Sequence, residues 1–523
     1  MRRVSRQYIQ AVLPEREQPF FWARRFCFSA ERNGNNLRQF NMKKYALIVF
    51  TMTVLTVTAL VFLSCEPTSA GKGHESPETE PQTGNPYNIL QYQPKTEYNI
   101  DIVNGETVLK RGAATAIYQY ETGMPGGMII VPSGEVLKFH VKNSIEEETS
   151  LHWHGLRVPI DQDGPSKILS PGASDEFEFT LDMTGTHWYH PHLRPILPQL
   201  NNGLYAPFIV KEDYDTQYAG DYVFTLDDWT INPLNNRIDF TYSGGSHGNM
   251  EIIGSVETVN RRFGNDIYPV TLKKGEIVKL RFINASTAQS HTLEMDDHEF
   301  RVTHLDGHKL VEPYTAKRIR IAPGERVDAE LKGIKSEGTC YIKNERQYGI
   351  RIPVIYKGVG EEMASPFVPG VSKAFPGIDG RSPDKVYELN SNMDRTDIEG
   401  GRESFATEWT INGKAFYDHD IDIDVFECTV GQVYILRFDN KDVGGIMHHI
   451  NLHPIHLHGG HFQVVSINGQ PPEREMWKDT MEIPLGKYVD VAVKFQYPGH
   501  WMLHCHIIDH EDNGMLTMIS AVE

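Results

Sequence analysis

The 523-residue sequence predicts an all-β protein made of three consecutive Greek-key β-sandwich domains. Three observations carry this reading. First, a ten-residue segment recurs: GEVLKFHVKN from Gly134, GEIVKLRFIN from Gly275 and GQVYILRFDN from Gly431, closing on Asn143, Asn284 and Asn440. Apolar–polar alternation between a Gly and an Asn marks a half-buried strand between turns. Second, another trio follows in the same order, with Gly172, Gly324 and Gly486 at spacings of 152 and 162 residues. Two strands repeating together argue for three homologous units. Third, the chain holds 44 Gly and 30 Pro, and stretches of helical period are scarce, which suits a turn-rich β architecture.

In chain order, residues 1–41 are Arg-rich and patternless, an N-terminal extension on which nothing is built. Residues 42–65 begin Met42-Lys43-Lys44, continue as a 19-residue apolar stretch and end Leu63-Ser64-Cys65. That is the layout of an export signal. It resembles a bacterial lipoprotein signal with Cys65 as the lipidated residue, although Phe62 stands where Leu is usual. An uncleaved anchor and an ordinary cleaved signal are the alternatives. All three put the body outside the cytoplasmic membrane, periplasmic or at the cell surface. Residues 66–94 have a linker composition. The three domains are expected at 95–213, 214–360 and 385–523.

The charge balance is 51 basic to 69 acidic residues, net −18. The first 44 residues carry +7, leaving −25 for the rest, which excludes nucleic acid as a partner. Five Cys are too few for a disulfide scaffold. Cys340 and Cys428 are either bridged or free.

The chemistry lies in four runs: HWHG from His152, HWYHPH from His187, HPIHLHGG from His453 and HCHIIDHEDNGM from His504. Residues i and i+2 of a strand point the same way. The pairs His152/His154, His190/His192, His456/His458 and His504/His506 therefore present eight imidazoles that can surround a group of metal ions. Cys505, between two of them, points to the opposite face, where His453, His510 and Met515 can join it. Two His, a Cys and a weak thioether make a blue-copper electron-transfer set. Cys505 is joined through its own backbone to two ligands of the other centre.

On these runs the chain resembles the three-domain multicopper oxidases, the family of laccases, cuprous oxidases and spore-coat oxidases, over roughly residues 95–523. The resemblance implies cupredoxin-like domains and four copper ions. It assigns the type 1 copper to His453, Cys505, His510 and axial Met515, and the type 2 copper to His152 and His456. One type 3 copper falls to His154, His190 and His506, the other to His192, His458 and His504. It also implies O2 as electron acceptor, and Asp163 and Glu511 as proton-handling carboxylates beside the trinuclear cluster. Superimposing Gly185 on Gly499 puts His190 and His192 on His504 and His506, with Pro191 on Cys505, so the first domain cannot build a type 1 site. In the middle domain Glu294 and Asp296 fall where the third has His456 and His458, so that domain is expected to act as a spacer. Sharing the cluster between domains 1 and 3 is expected to couple copper loading to their docking.

The reducing substrate is less constrained. A phenol or aromatic amine is the expected donor, with a Cu(I), Fe(II) or Mn(II) cation as the alternative. The 16 Met are spread out, and Asn451 occupies a position where cuprous oxidases carry Met. Met447-His448-His449, just upstream of His453, is read as a polar loop. A non-catalytic copper-binding relative would lack ligands, and this chain lacks none. The protein is expected to be a monomer that meets the membrane only through its N-terminal anchor or lipid. His187, His291 and His461 are read as supporting or packing residues.

Overall fold

The repeated segments are strands, and in each domain they pair with each other. In the computed structural model, Val136–Asn143 runs antiparallel to Ser174–Thr180, Ile277–Asn284 to Arg326–Lys332, and Tyr434–Asn440 to Tyr488–Val493. The structure describes residues 84–110, 113–232, 234–238, 251, 253–344, 349–398, 402–416, 425–442 and 452–523. The apolar segment 42–65, residues 66–83 of the linker, Met447-His448-His449 and Asn451 lie outside them. Among the described residues no helix is long and apolar enough to cross a membrane.

The first strand of each pair has a parallel partner on its other edge: Glu97–Lys110, Asp221–Trp229 and Lys385–Ile398. Parallel neighbours require a crossover. Each time the chain makes it through one strand of the opposite sheet: Ile129–Val131, Val270–Lys274 or Phe426–Thr429. The result is one Greek-key plan used three times, as sheets of four and three, six and five, and six and five strands.

The residues that made the repeat visible also explain it. Gly134, Gly275 and Gly431 have φ of 81°, 94° and 82°, and Gly172, Gly324 and Gly486 have 79°, 84° and 65°. A side chain would strain all six turns. The closing Asn is a fastener. Its Oδ1 accepts from the amide two residues on (Ile145, Ser286 or Asp442), and its Nδ2 donates to the carbonyl of Leu169, Ile321 or Ile483 at 2.8–2.9 Å. All three Asn are fully buried.

Each sandwich has its own apolar core, around Phe139 and Trp153 in the first, Phe224 and Phe282 in the second, and Phe462 and Trp501 in the third. A further cluster joins all three: Trp188 and Leu200 of the first pack with Trp229 and Ile283 of the second and Ile508 of the third. Beside it Lys279 and Arg281 are buried among Glu212, Asp215, Asp221 and Asp328. These contacts fix the domains against one another and thereby the site that they share. Cys340, Cys428 and Cys505 are all free.

Candidate metal centres

Two strand-like pairs from the first sandwich meet two from the third. His152 and His190 exchange backbone hydrogen bonds, and His456 is directly opposite His504 in an antiparallel ladder. Strand alternation then turns all eight imidazoles of the four His-x-His pairs into one buried space, each at most 2% exposed. Rings of the two sandwiches stack: His152 on His458 at 3.8 Å and His154 on His456 at 3.7 Å between centroids.

The hydrogen-bond network assigns which nitrogen faces inward. Nδ1–H donates to Asp163 Oδ1 from His152 (2.8 Å), to Asp163 Oδ2 from His458 (3.2 Å), to the Pro191 carbonyl from His190 (2.9 Å), to the Asp479 carbonyl from His456 (3.0 Å) and to the Cys505 carbonyl from His504 (3.1 Å). That leaves five Nε2 lone pairs for the interior. His154 is reversed: its Nε2 meets Thr480 Oγ1 at 3.1 Å and its Nδ1 faces inward. The inward nitrogens crowd, and between rings whose Nδ1–H is spent outward no donor remains. His152 and His456 approach to 3.3 Å, His192 and His504 to 3.3 Å, and His458 and His504 to 3.1 Å. Three triads form, each with ligand atoms within 4.8 Å: His152/His154/His190, His152/His456/His458 and His192/His458/His504. His506 lies outside these triads, but its ring is 5.0 Å from that of His154 and both its nitrogens lack a partner.

Burial makes seven of these rings poor bases, His190 down to about 3, and neighbouring imidazoles push the same way. Buried neutral imidazoles aimed at one another, most with their N–H spent outward, fit a group of soft or borderline cations.

Cys505 faces the other way, as alternation requires. Its Sγ is 3.7 Å from His453 Nδ1 and 3.5 Å from His510 Nδ1, and those two nitrogens are 3.2 Å apart, all fully buried. Met515 is buried beside them; its amide donates to the His510 carbonyl and its own carbonyl accepts from the Cys505 amide. Burial pushes the Cys505 thiol well above its usual range, so a thiolate here requires a cation in direct contact. This donor set fits one copper.

Asp163 joins two roles. It caps the short turn Gly164–Ser166, and it holds His152 and His458 together across the domain boundary. Glu511 is fully buried with Oε2 2.8 Å from His504 Nδ1 and Oε1 3.5 Å from His192 Nε2. His504 directs its N–H at the Cys505 carbonyl instead, so neither Glu511 oxygen receives a hydrogen bond among the described residues.

The middle domain is more than the spacer expected from its sequence. Its Arg326 makes a two-pronged pair with Asp479, both contacts at 2.6 Å, and Asp479 in turn approaches His154 and His456 at 3.3 and 3.6 Å. Burial works against Asp479 ionising, but the Arg326 guanidinium overcomes it and holds the carboxyl well below the usual range. Glu251 accepts from His510 Nε2–H at 3.0 Å, while Trp409 stacks on the same imidazole at 3.5 Å. No spacing in the sequence pointed to Arg326, Asp479 or Glu251. Glu294 and Asp296, on the lost ligand positions, approach Arg318 (3.5 Å) and Lys343 (2.6 Å) instead. His291 bonds Ser286 and Asn344 within the middle domain. His187 and His461 each keep one unpartnered nitrogen.

Comparison with known proteins gives the class. Sequence models of multicopper oxidases match residues 101–215, 220–351 and 381–522. The chain is 26% identical to the multicopper oxidase mco of Staphylococcus haemolyticus, over 81% of this chain and 88% of that one. It is 24% identical to laccase-3 of Botryotinia fuckeliana, over 76% of this chain and all of that one. A laccase structure from Pediococcus acidilactici superimposes with TM-score 0.69 at 26% identity, covering 82% of this chain and 90% of that one. The chain belongs to the multicopper oxidase family. It is a copper-dependent oxidoreductase with cupredoxin-like domains.

Proposed function

We propose that the protein is a laccase-like oxidase that takes electrons singly from phenols or aromatic amines and reduces O2 to water. The convergence of eight buried imidazoles behind Cys505 is the observation that carries this reading. Four coppers are assigned: type 1 on His453, Cys505, His510 and Met515; type 2 on His152 and His456; the type 3 pair on His154, His190 and His506, and on His192, His458 and His504. When bound, copper supplies the one-electron acceptor at the first site and four-electron delivery to O2 at the second.

The protein's own groups do the rest. The peptide from Cys505 to His504 and His506 is the covalent connection between the two centres. Glu251 fixes the His510 ring by accepting its Nε2–H at 3.0 Å, and its carboxylate suits the hydroxyl or amino proton that a donor reaching this ring releases on oxidation. Asp163 holds the tautomers of His152 and His458 and can hold a proton beside them. Glu511, whose oxygens receive no hydrogen bond among the described residues, is the proton acceptor on the His192 and His504 side. Asp479, kept ionised by Arg326, orients His154 and His456.

The test is O2 consumption by the copper-loaded protein with Cu(I) and with a diphenol at matched concentration. Faster turnover with the diphenol, indifferent to a Cu(I) chelator, supports this reading. Faster turnover with Cu(I), or diphenol turnover only with added copper, replaces it with a metal oxidase. We further propose export and lipid attachment at Cys65, domain limits at 95–213, 214–360 and 385–523, and a monomer. Detergent-phase partitioning that a Cys65→Ala variant abolishes checks the anchor.

A further inference from the structure

A cavity of about 450 Å³ opens where the three sandwiches meet, and it shares no residue with either metal centre. Arg157 comes from the first domain, His308 from the second, and His461, Trp477 and Lys494 from the third, with Lys373 from the connector between the last two. The connector is stapled down: Ser372 Oγ and the Lys373 amide donate to the Glu475 carboxylate at 2.6 and 2.9 Å, and the Phe375 amide donates to Gln463 Oε1 at 2.8 Å. Glu475 also accepts from Trp477 Nε1 at 2.9 Å. One acidic side chain thus sets both the aromatic wall and the position of Lys373.

The lining is chemically unfinished. Phe375 and Trp477 meet at 5.1 Å and 68°, giving a rigid aromatic wall beside Phe495. Lys373 and Lys494 are exposed at the rim and have no carboxylate partner among the described residues. Arg157 spends Nη2 on Asp182 at 2.9 Å, while its buried Nε–H has no acceptor. His461, 5% exposed, donates Nε2–H to the Gly155 carbonyl at 2.8 Å, so its Nδ1 carries a lone pair, and that buried nitrogen has no donor. His308 stands edge-on to it at 4.3 Å with Nε2 also unpartnered. The Arg157, His461 and His308 nitrogens are closed off from the cavity, so what it offers a ligand is the two rim ammonium groups and the aromatic wall.

We propose that this cavity binds an aromatic carboxylate: the carboxylate against Lys373 and Lys494, and the ring against Trp477 and Phe375. The two ammonium groups favour an anion, since Asp182 on the same lining is already paired with Arg157 at 2.9 Å. The cavity shares no residue with the Cys505 centre, so its occupant is held apart from that centre and is not the electron donor.

The copper-loaded protein, kept anaerobic, is titrated with benzoate, which has no phenolic hydroxyl to oxidise, by equilibrium dialysis and tryptophan fluorescence. One saturable site is expected. A Lys373→Ala/Lys494→Ala double variant, altered only at exposed positions, is expected to bind about tenfold more weakly, because charge-assisted contacts are lost. Benzyl alcohol and cyclohexanecarboxylate, each lacking one half of the pattern, should bind more weakly than benzoate. Absence of saturable binding overturns the proposal, and so does binding that the double variant leaves unchanged, which would place the ligand elsewhere. Neither readout depends on turnover, so failure here is distinct from failure of the oxidase reading.

Discussion

Replacing Arg326 by Leu isolates what the middle domain contributes to the metal centre. Arg326 is fully buried and gives Asp479 two hydrogen bonds of 2.6 Å, with further N–H contacts to the carbonyls of Asp306, Thr186 and Gly324 at 3.1–3.3 Å. The variant leaves the Asp479 carboxylate buried without its counter-charge, a loss of about 3–5 kcal/mol when one partner of such a pair is removed. At about 2–4 °C per kcal/mol for a unit of this size, the unfolding temperature should fall by roughly 6–20 °C. His154 and His456 lose their anchored carboxylate, and loss of such outer contacts weakens metal binding about 10–100-fold. The assay is metal analysis after graded chelator challenge, with the visible absorption of the Cys505 site as internal control. Copper at the imidazole cluster should be stripped first while the Cys505 band persists. Arg326→Lys, which keeps the charge without the two-pronged fit, should fall in between. An Arg326→Leu protein that keeps all its copper and unfolds at the original temperature would refute the reasoning.

Other perturbations follow from the same geometry. Asp163→Asn keeps an oxygen for His152 but turns an amide towards His458, so the maximal turnover rate should drop about 10²-fold with donor KM little changed, checked by steady-state kinetics. Glu251→Gln still accepts from His510 but loses its charge, so KM for an aromatic amine should rise about tenfold at nearly constant kcat; an unchanged KM would remove Glu251 from donor recognition. Arg281→Met strands Asp215 and Asp221 in the core, which should lower domain 1–2 stability by about 3–5 kcal/mol in denaturant unfolding. His140 lies between Glu97 and Glu176 at 2.9 and 3.0 Å, and hydrogen bonds to both raise its pKa above 6.5. With the folded value above the unfolded one, its contribution is complete below pH 6.5 and fades as pH rises through the folded value; NMR titration of its ring protons should show the raised midpoint.

What the sequence disclosed follows from what is local. Strand alternation, positive-φ glycines and i, i+2 histidines are properties of a few consecutive residues, so the three repeats, the four imidazole pairs and the outward turn of Cys505 could all be read. Arg326, Asp479 and Glu251 act across domain boundaries as single residues. Their partners are set by how the sandwiches dock, and no periodicity records that. For the same reason the middle domain looked idle: its lost ligand positions were visible at Glu294 and Asp296, whereas what it gives instead was not. The free state of Cys340 and Cys428 also needed three dimensions.

The buried Asn fastener has a consequence for how such a chain can change. Asn143, Asn284 and Asn440 clamp carbonyls 26, 37 and 43 residues downstream. The HWHG run and Asp163 hang inside the first clamp, and His453, His456 and His458 hang inside the third. Closing the longest of these loops costs only about 0.4 kcal/mol more than closing the shortest, since the entropy grows with the logarithm of length. The frame is therefore nearly indifferent to what is suspended within it. Payload can be lengthened, emptied of ligands or refilled while the two posts stay where they are.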